Sequence, residues 1–230
     1  MQKIKITTYR YWIAGCIALI LSGCSLFGLK VQQDYHHAPH TIDPHLNKTA
    51  WDFLKQRSIQ NNPDTLFKLM YDGVIYSGID TNEYVKSNRT FILLQNNAIR
   101  RMNKTVPYPD CFFGANTPAN GKPANDKTTW KDYPKAVVKN YLEYLLLEGE
   151  YTHTQTITSV NIAVETALPK GTFSNNPQSI MNMRIVNSST SNTIDYPLLL
   201  NDSTYVVTSD LLPTNGVIQV VDRYITTTAE

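Results

Sequence analysis

The chain has 230 residues and a formal net charge of +2, a near balance that argues against a nucleic-acid partner, since such proteins carry strongly basic patches. Its three cysteines are too few for a disulfide framework. We therefore expect a fold that depends on its own hydrophobic core.

Residues 1–23 have the pattern of a secretory signal peptide. Lys3, Lys5 and Arg10 precede an apolar run from Ile13 to Leu21, and no acidic residue lies among them. The run is too short to span a bilayer, which needs about 20 apolar residues. A basic head followed by a short apolar segment is typical of a signal peptide rather than of a membrane helix.

The apolar run ends in Leu21-Ser22-Gly23-Cys24, the pattern of a bacterial lipobox. We expect Cys24 to become the lipidated N-terminus, because two or more acyl chains give stable membrane anchoring. The expected location is the cell envelope, most naturally the outer membrane of a Gram-negative bacterium. Removing residues 1–23 changes the formal charge from +2 to −1 and leaves Cys111 as the free thiol.

Residues 24–47 show neither helical nor strand periodicity and are interpreted as a tether. The segment holds four of the five histidines of the chain: His36, His37, His40 and His45. Clustered imidazoles can bind a transition metal. No cysteine or carboxylate set completes a defined site, so a solvated spacer is favoured, and no metal or cofactor is expected.

The start of the folded domain carries two helix-start signals. Thr49 followed three positions later by Asp52 resembles a shortened capping box. Asn62-Pro63-Asp64 suits the first turn of a second helix, because Asn caps, Pro fits the first turn and Asp favours the positive helix end. Gly73 is predicted to end that helix.

Further along, Thr90–Leu94 is predicted to be a buried strand, and Gln95–Asn97 to cap a short helix carrying Ile99 and Met102. Pro134 is predicted to start another helix. The remainder is strand-like, with these segments: Met183–Val186, Leu198–Leu200, Tyr205–Thr208 and Val217–Ile225, the last preceded by the turn Thr214-Asn215-Gly216. Helices first and strands later predict an α+β fold.

Residues 103–134 are predicted to be one long insertion, because repeated prolines and glycines exclude regular structure over most of it. The insertion carries four aromatic residues of interest: Tyr108, Phe112, Phe113 and Trp130. Aromatic side chains on a loop can form a recognition surface for a partner. They can equally pack the loop onto its own domain, and both interpretations remain open at this point.

Three segments resemble the motifs of the fasciclin domain family: Thr90–Ile99, Leu142–Thr152 and Thr214–Ile225. The last segment is the most specific, and Asp210 stands where the family often has an Asp before it. The resemblance covers about residues 48–226 and implies a fasciclin-like β-sheet wedge with N-terminal helices packed on it and two long loop insertions. Leu145 and Gln219 occupy family histidine positions, so the integrin contacts associated with that region are not expected here.

The resemblance implies a non-enzymatic lipoprotein for adhesion or for binding a ligand or protein. A sharper hypothesis is an accessory role in an outer-membrane nutrient-uptake complex, with a glycan or an outer-membrane protein as partner. The alternative is a structural periplasmic protein that contacts peptidoglycan or an assembly machine. Catalysis is not expected. Cys111 and His153 could form a thiol nucleophile and its base, but the sequence around Cys111 offers no helix start or basic neighbour to stabilise a thiolate.

Overall fold

A mixed β-sheet forms the centre of the computed structural model, which describes residues 43–60, 65–153, 156–186 and 197–228. The strands of these described segments are β1 (Arg89–Leu94), β2 (Met102–Asn103), β3 (Val106–Pro107), β4 (Leu146–Glu148), β5 (Ile162–Glu165), β6 (Ile180–Ile185), β7 (Leu198–Leu200), β8 (Thr204–Leu211) and β9 (Gly216–Val221). Seven of them form one sheet in the order β4-β1-β9-β8-β7-β6-β5, and β2 pairs with β3 as a separate hairpin.

The two ends of the seven-stranded sheet meet, so the sheet is nearly closed into a barrel. β1 and β9 run parallel from the pair Arg89–Gly216 onwards, and the remaining neighbours are antiparallel. At the edges, Leu147 bridges to Thr166, and the Ala167 amide donates to the Leu146 carbonyl at 2.7 Å. Such closure protects edge strands from pairing with another chain.

The helices of the described segments lie mainly before the sheet-rich half of the chain. They are α1 (Ala50–Lys55), α2 (Lys68–Ser77), α3 (Asn96–Ile99), α4 (Phe112–Ala115) and α5 (Lys135–Tyr144), with a π-helical turn at Gln56–Gln60 and 3₁₀ turns at Thr81–Tyr84 and Trp130–Asp132. Helix α2 packs against both α5 and the sheet: the sulfur of its Met70 lies 3.1 Å from the Leu94 amide of β1. The predicted α+β class is confirmed.

The beginning of the domain is fixed by a cap and by a short parallel contact. The Thr49 hydroxyl accepts from the Asp52 amide at 3.1 Å, which confirms the predicted cap of α1. Upstream, His45 bridges to Leu212, and the Leu46 amide donates to the Leu212 carbonyl at 2.9 Å. Residues 43–47, which the sequence interpretation assigned to the tether, therefore belong to the compact unit that begins at Asp43. Residues 1–42, with Cys24, lie outside the described residues.

The prediction that Gly73 ends a helix is wrong. Helix α2 continues to Ser77, and Gly78, with a φ of 70°, adopts the left-handed conformation that commonly ends helices. Gly73 is instead a buried interior position of α2. The proposed start at Asn62–Asp64 lies outside the described residues.

Several other predicted elements are confirmed with shifted bounds. The buried strand over Thr90–Leu94 is β1, and the helix expected after Pro134 is α5. The final strand ends at Val221 rather than Ile225. Met102 does not extend α3 but lies in β2, because Arg100 already has an extended backbone. β4 and β5 were not predicted.

The closing motif places a buried amide in the strand interior. Gln219 of β9, at a family histidine position, is fully buried, and its side-chain amide donates to Asp210 Oδ1 at 2.9 Å and to the Tyr151 carbonyl at 3.0 Å. The Asp210 amide lies 3.2 Å from Gln219 Oε1, which accepts from it. A buried amide is tolerated when its polar atoms are bonded in this way, so Gln219 ties the sheet to the loop after β4.

Candidate functional site

Three of the four aromatic side chains singled out in the insertion lie inside the domain. Phe112 and Phe113 are each 1% exposed and Trp130 is 5% exposed, whereas Tyr108 is 38% exposed. The prediction that these four rings form one partner-binding surface is therefore corrected for Phe112, Phe113 and Trp130. The other interpretation, in which the rings pack the loop onto its own domain, describes their positions.

Helix α4 accounts for this burial. It starts after Cys111 and turns both phenylalanines inward, where the Phe112 ring centroid lies 4.9 Å from that of Trp130 and 5.0 Å from that of Tyr141. Phe113 stacks on Tyr133, with centroids 5.5 Å apart and an interplanar angle of 7°. Aromatic pairs at these separations stabilise each other beyond the apolar area they bury. The insertion is thus part of the core.

Trp130 is held by a specific contact with helix α2. Its indole Nε1 donates to the Leu69 carbonyl at 2.8 Å, and its ring lies directly over Gly73. A Cβ at position 73 would lie 2.9 Å from Trp130 Cε2. A glycine therefore stands at position 73, where the Trp130 ring approaches the helix backbone too closely to leave room for a side chain.

Tyr108 is the one member of the predicted set that reaches solvent to a substantial degree. The Arg101 guanidinium lies 4.5 Å from its ring centroid and forms an ion pair with Asp110. Asp110 also pairs with Arg223 Nε at 3.0 Å, which connects the insertion to the residues after β9. These contacts make Tyr108 a stacked ring at the edge of an ion cluster, separate from the buried rings.

A groove of about 370 Å³ lies between helix α2 and the insertion. Its lining residues are Leu69, Asp72, Tyr76, Arg100, Phe113, Thr129, Trp130 and Lys131. Positions 69, 72 and 76 follow helical spacing, so α2 presents them on one face. The volume falls at the lower end of small-molecule sites, which measure about 300–1,000 Å³.

Three polar side chains of the groove, those of Asp72, Tyr76 and Arg100, are held by bonds to other protein groups. The Tyr76 hydroxyl donates to the Tyr133 carbonyl at 2.8 Å. Arg100 donates from its guanidinium to the Thr128 carbonyl, and its guanidinium carbon lies 5.4 Å from the Phe113 ring centroid. Asp72 accepts from Lys68 Nζ at 2.5 and 2.6 Å, one turn earlier in the helix. The groove therefore has a preformed lining, which reduces the entropy lost on binding.

Cys111, the reactive residue that the sequence offers as a nucleophile, lies inside the domain. Cys111 is fully buried, and its thiol lies 3.1 Å from the Tyr108 carbonyl, so the thiol is shielded from solvent. Within the described ranges, no group of three or more His, Cys, Asp or Glu side chains is arranged to hold a metal ion. In the same part of the chain, no helix combines the length and apolar character needed to cross a membrane.

No protein-family profile matches the chain, and no curated protein sequence matches it. Among solved structures, the chain is similar to a FAS1 domain pair from the insect cell adhesion molecule Fasciclin I, at a TM-score of 0.42 and 9% identity. The match covers 70% of this chain, and the chain spans 45% of that structure's length. The resemblance to fasciclin domains therefore continues to rest on the three sequence segments.

The sequence interpretation found only part of the groove. It singled out Phe113 and Trp130 as aromatic residues of a long insertion, but it did not find Leu69, Tyr76, Arg100 or Lys131. Arg100 directly follows α3, and Leu69 and Tyr76 belong to α2, which begins at Lys68. The available signal was the i, i+3, i+7 spacing of positions 69, 72 and 76, which has the same form as an ordinary helix face.

Proposed function

We propose that this chain is a non-enzymatic binding protein of the cell envelope, held at the membrane through a lipidated Cys24. Its domain would bind a small ligand or a segment of a protein partner in the groove between α2 and the insertion. An accessory role in an outer-membrane nutrient-uptake complex fits the same proposal. The resemblance to fasciclin domains supports a binding or adhesion role rather than catalysis.

The groove carries this proposal. It is concave, it has apolar and aromatic walls, and two of its polar side chains, Tyr76 and Arg100, are oriented by a hydrogen bond and a ring contact. Concave apolar sites with a small number of positioned polar groups are the usual form of ligand sites in proteins. A groove with this lining is a more specific feature than the scattered exposed side chains elsewhere on the domain.

Ligand-induced stabilisation tests the binding role. The purified full chain would be melted with a panel of small neutral, cationic and anionic compounds of about 10–20 heavy atoms. We expect at least one compound to raise the melting temperature in a saturable manner, as ligands that bind the folded state do. Lys131→Trp, which places a large side chain at the groove, should abolish the shift, and Lys122→Trp, at an exposed position that does not line the groove, should retain it. A panel without any saturable shift, or a shift unaffected by Lys131→Trp, would refute the groove as the binding site.

The lipid anchor is tested separately. Cys24→Ala should move the protein from the detergent phase to the aqueous phase and should stop incorporation of labelled fatty acid. Protease treatment of intact cells then separates a surface-exposed binding protein, which would be released, from a structural periplasmic protein, which would be spared. A Cys24→Ala variant that still incorporates fatty acid would contradict the anchor.

A further inference from the structure

The charges that line the groove are not balanced. Asp72 is its carboxylate, and Lys68 already holds both oxygens of that carboxylate from the same helix. Arg100 and Lys131 also line the groove, and among the described residues neither of them forms an ion pair. The groove therefore presents two cations whose charge no described protein carboxylate neutralises.

Of the two cations, Arg100 is held more firmly by its protein contacts. Its side chain is partly buried, and it is fixed by the Thr128 carbonyl and by the Phe113 ring. A guanidinium offers five donors in a planar fork that matches a carboxylate. In a partly buried site such a charge attracts an anion more strongly than it does in bulk water, because the effective dielectric constant is lower.

The walls of the groove favour a ligand that also has an apolar part. Leu69, Tyr76 and Trp130 supply apolar and aromatic surface next to the two cations. The Tyr76 ring is held by its hydroxyl bond to Tyr133, and Lys135 Nζ lies 5.6 Å from its centroid. Burial of a flat apolar group against these side chains would contribute hydrophobic free energy that a simple inorganic anion does not gain.

Building on the proposed binding role, we infer that the groove selects small organic carboxylates with a flat apolar body. The carboxylate faces Arg100 and Lys131, and the apolar body lies against Tyr76, Leu69 and Trp130. The two cations select a negatively charged ligand, and the apolar walls select one with a flat body. Asp72 contributes no competing preference for cations because Lys68 occupies it.

A matched series of probes tests this inference on the full chain. Cinnamate, cinnamamide and cinnamylamine share one flat apolar body and differ in charge, and acetate supplies the carboxylate without that body. By titration calorimetry we expect cinnamate to bind roughly tenfold or more tightly than cinnamamide, with cinnamylamine and acetate weaker still. Increasing salt should weaken cinnamate and leave cinnamamide nearly unchanged.

Two charge variants place the effect at the groove. Lys131→Gln and Arg100→Gln should each lower cinnamate affinity toward that of cinnamamide, and Arg100→Lys should recover part of the loss. Lys131 is exposed and unpaired among the described residues, so Lys131→Gln keeps the test valid even if Arg100→Gln destabilises the fold. Lys122→Gln, at an exposed position that does not line the groove, serves as the control.

The probes distinguish a failure of the charge preference, of the apolar preference and of the ligand class as a whole. Equal affinity for cinnamate and cinnamamide, or cinnamate binding unaffected by Lys131→Gln, overturns the anion preference while leaving the binding groove intact. Acetate binding as tightly as cinnamate overturns the apolar part of the ligand class. If no cinnamyl probe binds but another panel compound does so in a Lys131→Trp-sensitive manner, the inferred ligand class fails and the proposed function survives.

Discussion

The side-chain oxygen of Asn215 accepts a hydrogen bond from the backbone amide of Ala50 at 2.9 Å, so the turn before the last strand fixes the first turn of the first helix. The amide nitrogen of the same side chain donates to the carbonyls of Tyr84 and Lys86, each at 3.0 Å. Asn215 is 5% exposed. One residue of the closing motif therefore connects three parts of the chain that are far apart in sequence.

Asn215→Ala should destabilise the domain strongly. The change leaves one buried amide and two carbonyls without their side-chain partner, and each such loss costs about 1–3 kcal/mol. We expect the free energy of unfolding to fall by about 3 kcal/mol or more in denaturant titrations. Asn82→Ala, at an exposed position in the neighbouring 3₁₀ turn, is the matched control and should change it by less than about 0.5 kcal/mol. Similar unfolding curves for the two variants would show that Asn215 does not tie these segments together.

The sequence predicted those elements whose signals are local. The cap at Thr49, the strand that became β1 and the turn at Thr214–Gly216 each depend on a few adjacent residues, and all three are confirmed. The connection from Asn215 to Ala50 is not local, because the two residues are separated by 165 positions. No pattern within either segment specifies that contact.

Three features of the candidate site could not be predicted from the sequence, for related reasons. Helix α4 has four residues, too few to show a periodicity that would distinguish an inward from an outward Phe112. Gly73 has the residue type that commonly ends a helix, but its role depends on Trp130, which is distant in sequence. The charge imbalance at Arg100 likewise appears only when α2 and the insertion are brought together.

Gly73→Ala should destabilise the domain even though it improves helix propensity. In an exposed helix interior, alanine is more favourable than glycine by about 1 kcal/mol. At position 73, however, the new methyl group would lie 2.9 Å from the Trp130 ring. We expect a net loss of about 1–3 kcal/mol, typical of overpacking, in thermal or denaturant unfolding. Tryptophan fluorescence should also shift as the Trp130 indole moves.

A double-mutant cycle checks the cause of that loss. Trp130→Phe shortens the ring that faces Gly73, so in this background Gly73→Ala should be neutral or stabilising. Additive effects of the two substitutions would show that the glycine is required for a reason other than the approach of Trp130.

Val220→Asp should unfold the domain. Val220 is 2% exposed in β9, between Leu93 of β1 and Thr208 of β8. An unpaired buried carboxylate costs several kcal/mol, which is comparable to the whole stability of a domain. Val207→Asp, on β8 at 48% exposure, is the matched control and should retain the native circular dichroism spectrum and melting transition. A folded Val220→Asp variant would contradict the placement of β9 in the core.

Glu143 should make the stability depend on pH. Burial raises the pKa of its carboxyl, and the repulsion from Glu83 adds to this, while Lys139 opposes it. A carboxyl with a raised pKa in the folded state favours folding when protonated, so its contribution falls as the pH rises above the ordinary value of about 4.5. Glu143→Gln should therefore melt at a higher temperature than the parent near pH 7.

The same comparison at low pH supplies the control for Glu143. Below the ordinary carboxyl pKa both proteins carry a neutral group at position 143, so the difference in melting temperature should vanish. Glu150→Gln, at an exposed position, should give no comparable gain at pH 7. A Glu143→Gln variant that is less stable than the parent at pH 7 would mean that the contact with Lys139, at 3.6 Å, outweighs the burial.

Replacing residues 105–129 by a short Gly/Ser linker distinguishes a core-forming insertion from a separate binding surface. The replacement removes Phe112 and Phe113, each 1% exposed, and the Thr128 carbonyl that holds Arg100. Loss of a buried phenylalanine side chain costs about 3–5 kcal/mol, so the two losses together approach the stability of a typical domain. We therefore expect the variant to be largely unfolded at room temperature, as measured by circular dichroism. Replacing only the mostly exposed residues 120–127 by a Gly/Ser segment of equal length should leave the melting transition nearly unchanged. If the longer replacement melted like the parent and lost its partner in pull-downs, the insertion would be a binding surface after all, and the burial of its rings would not contribute to folding.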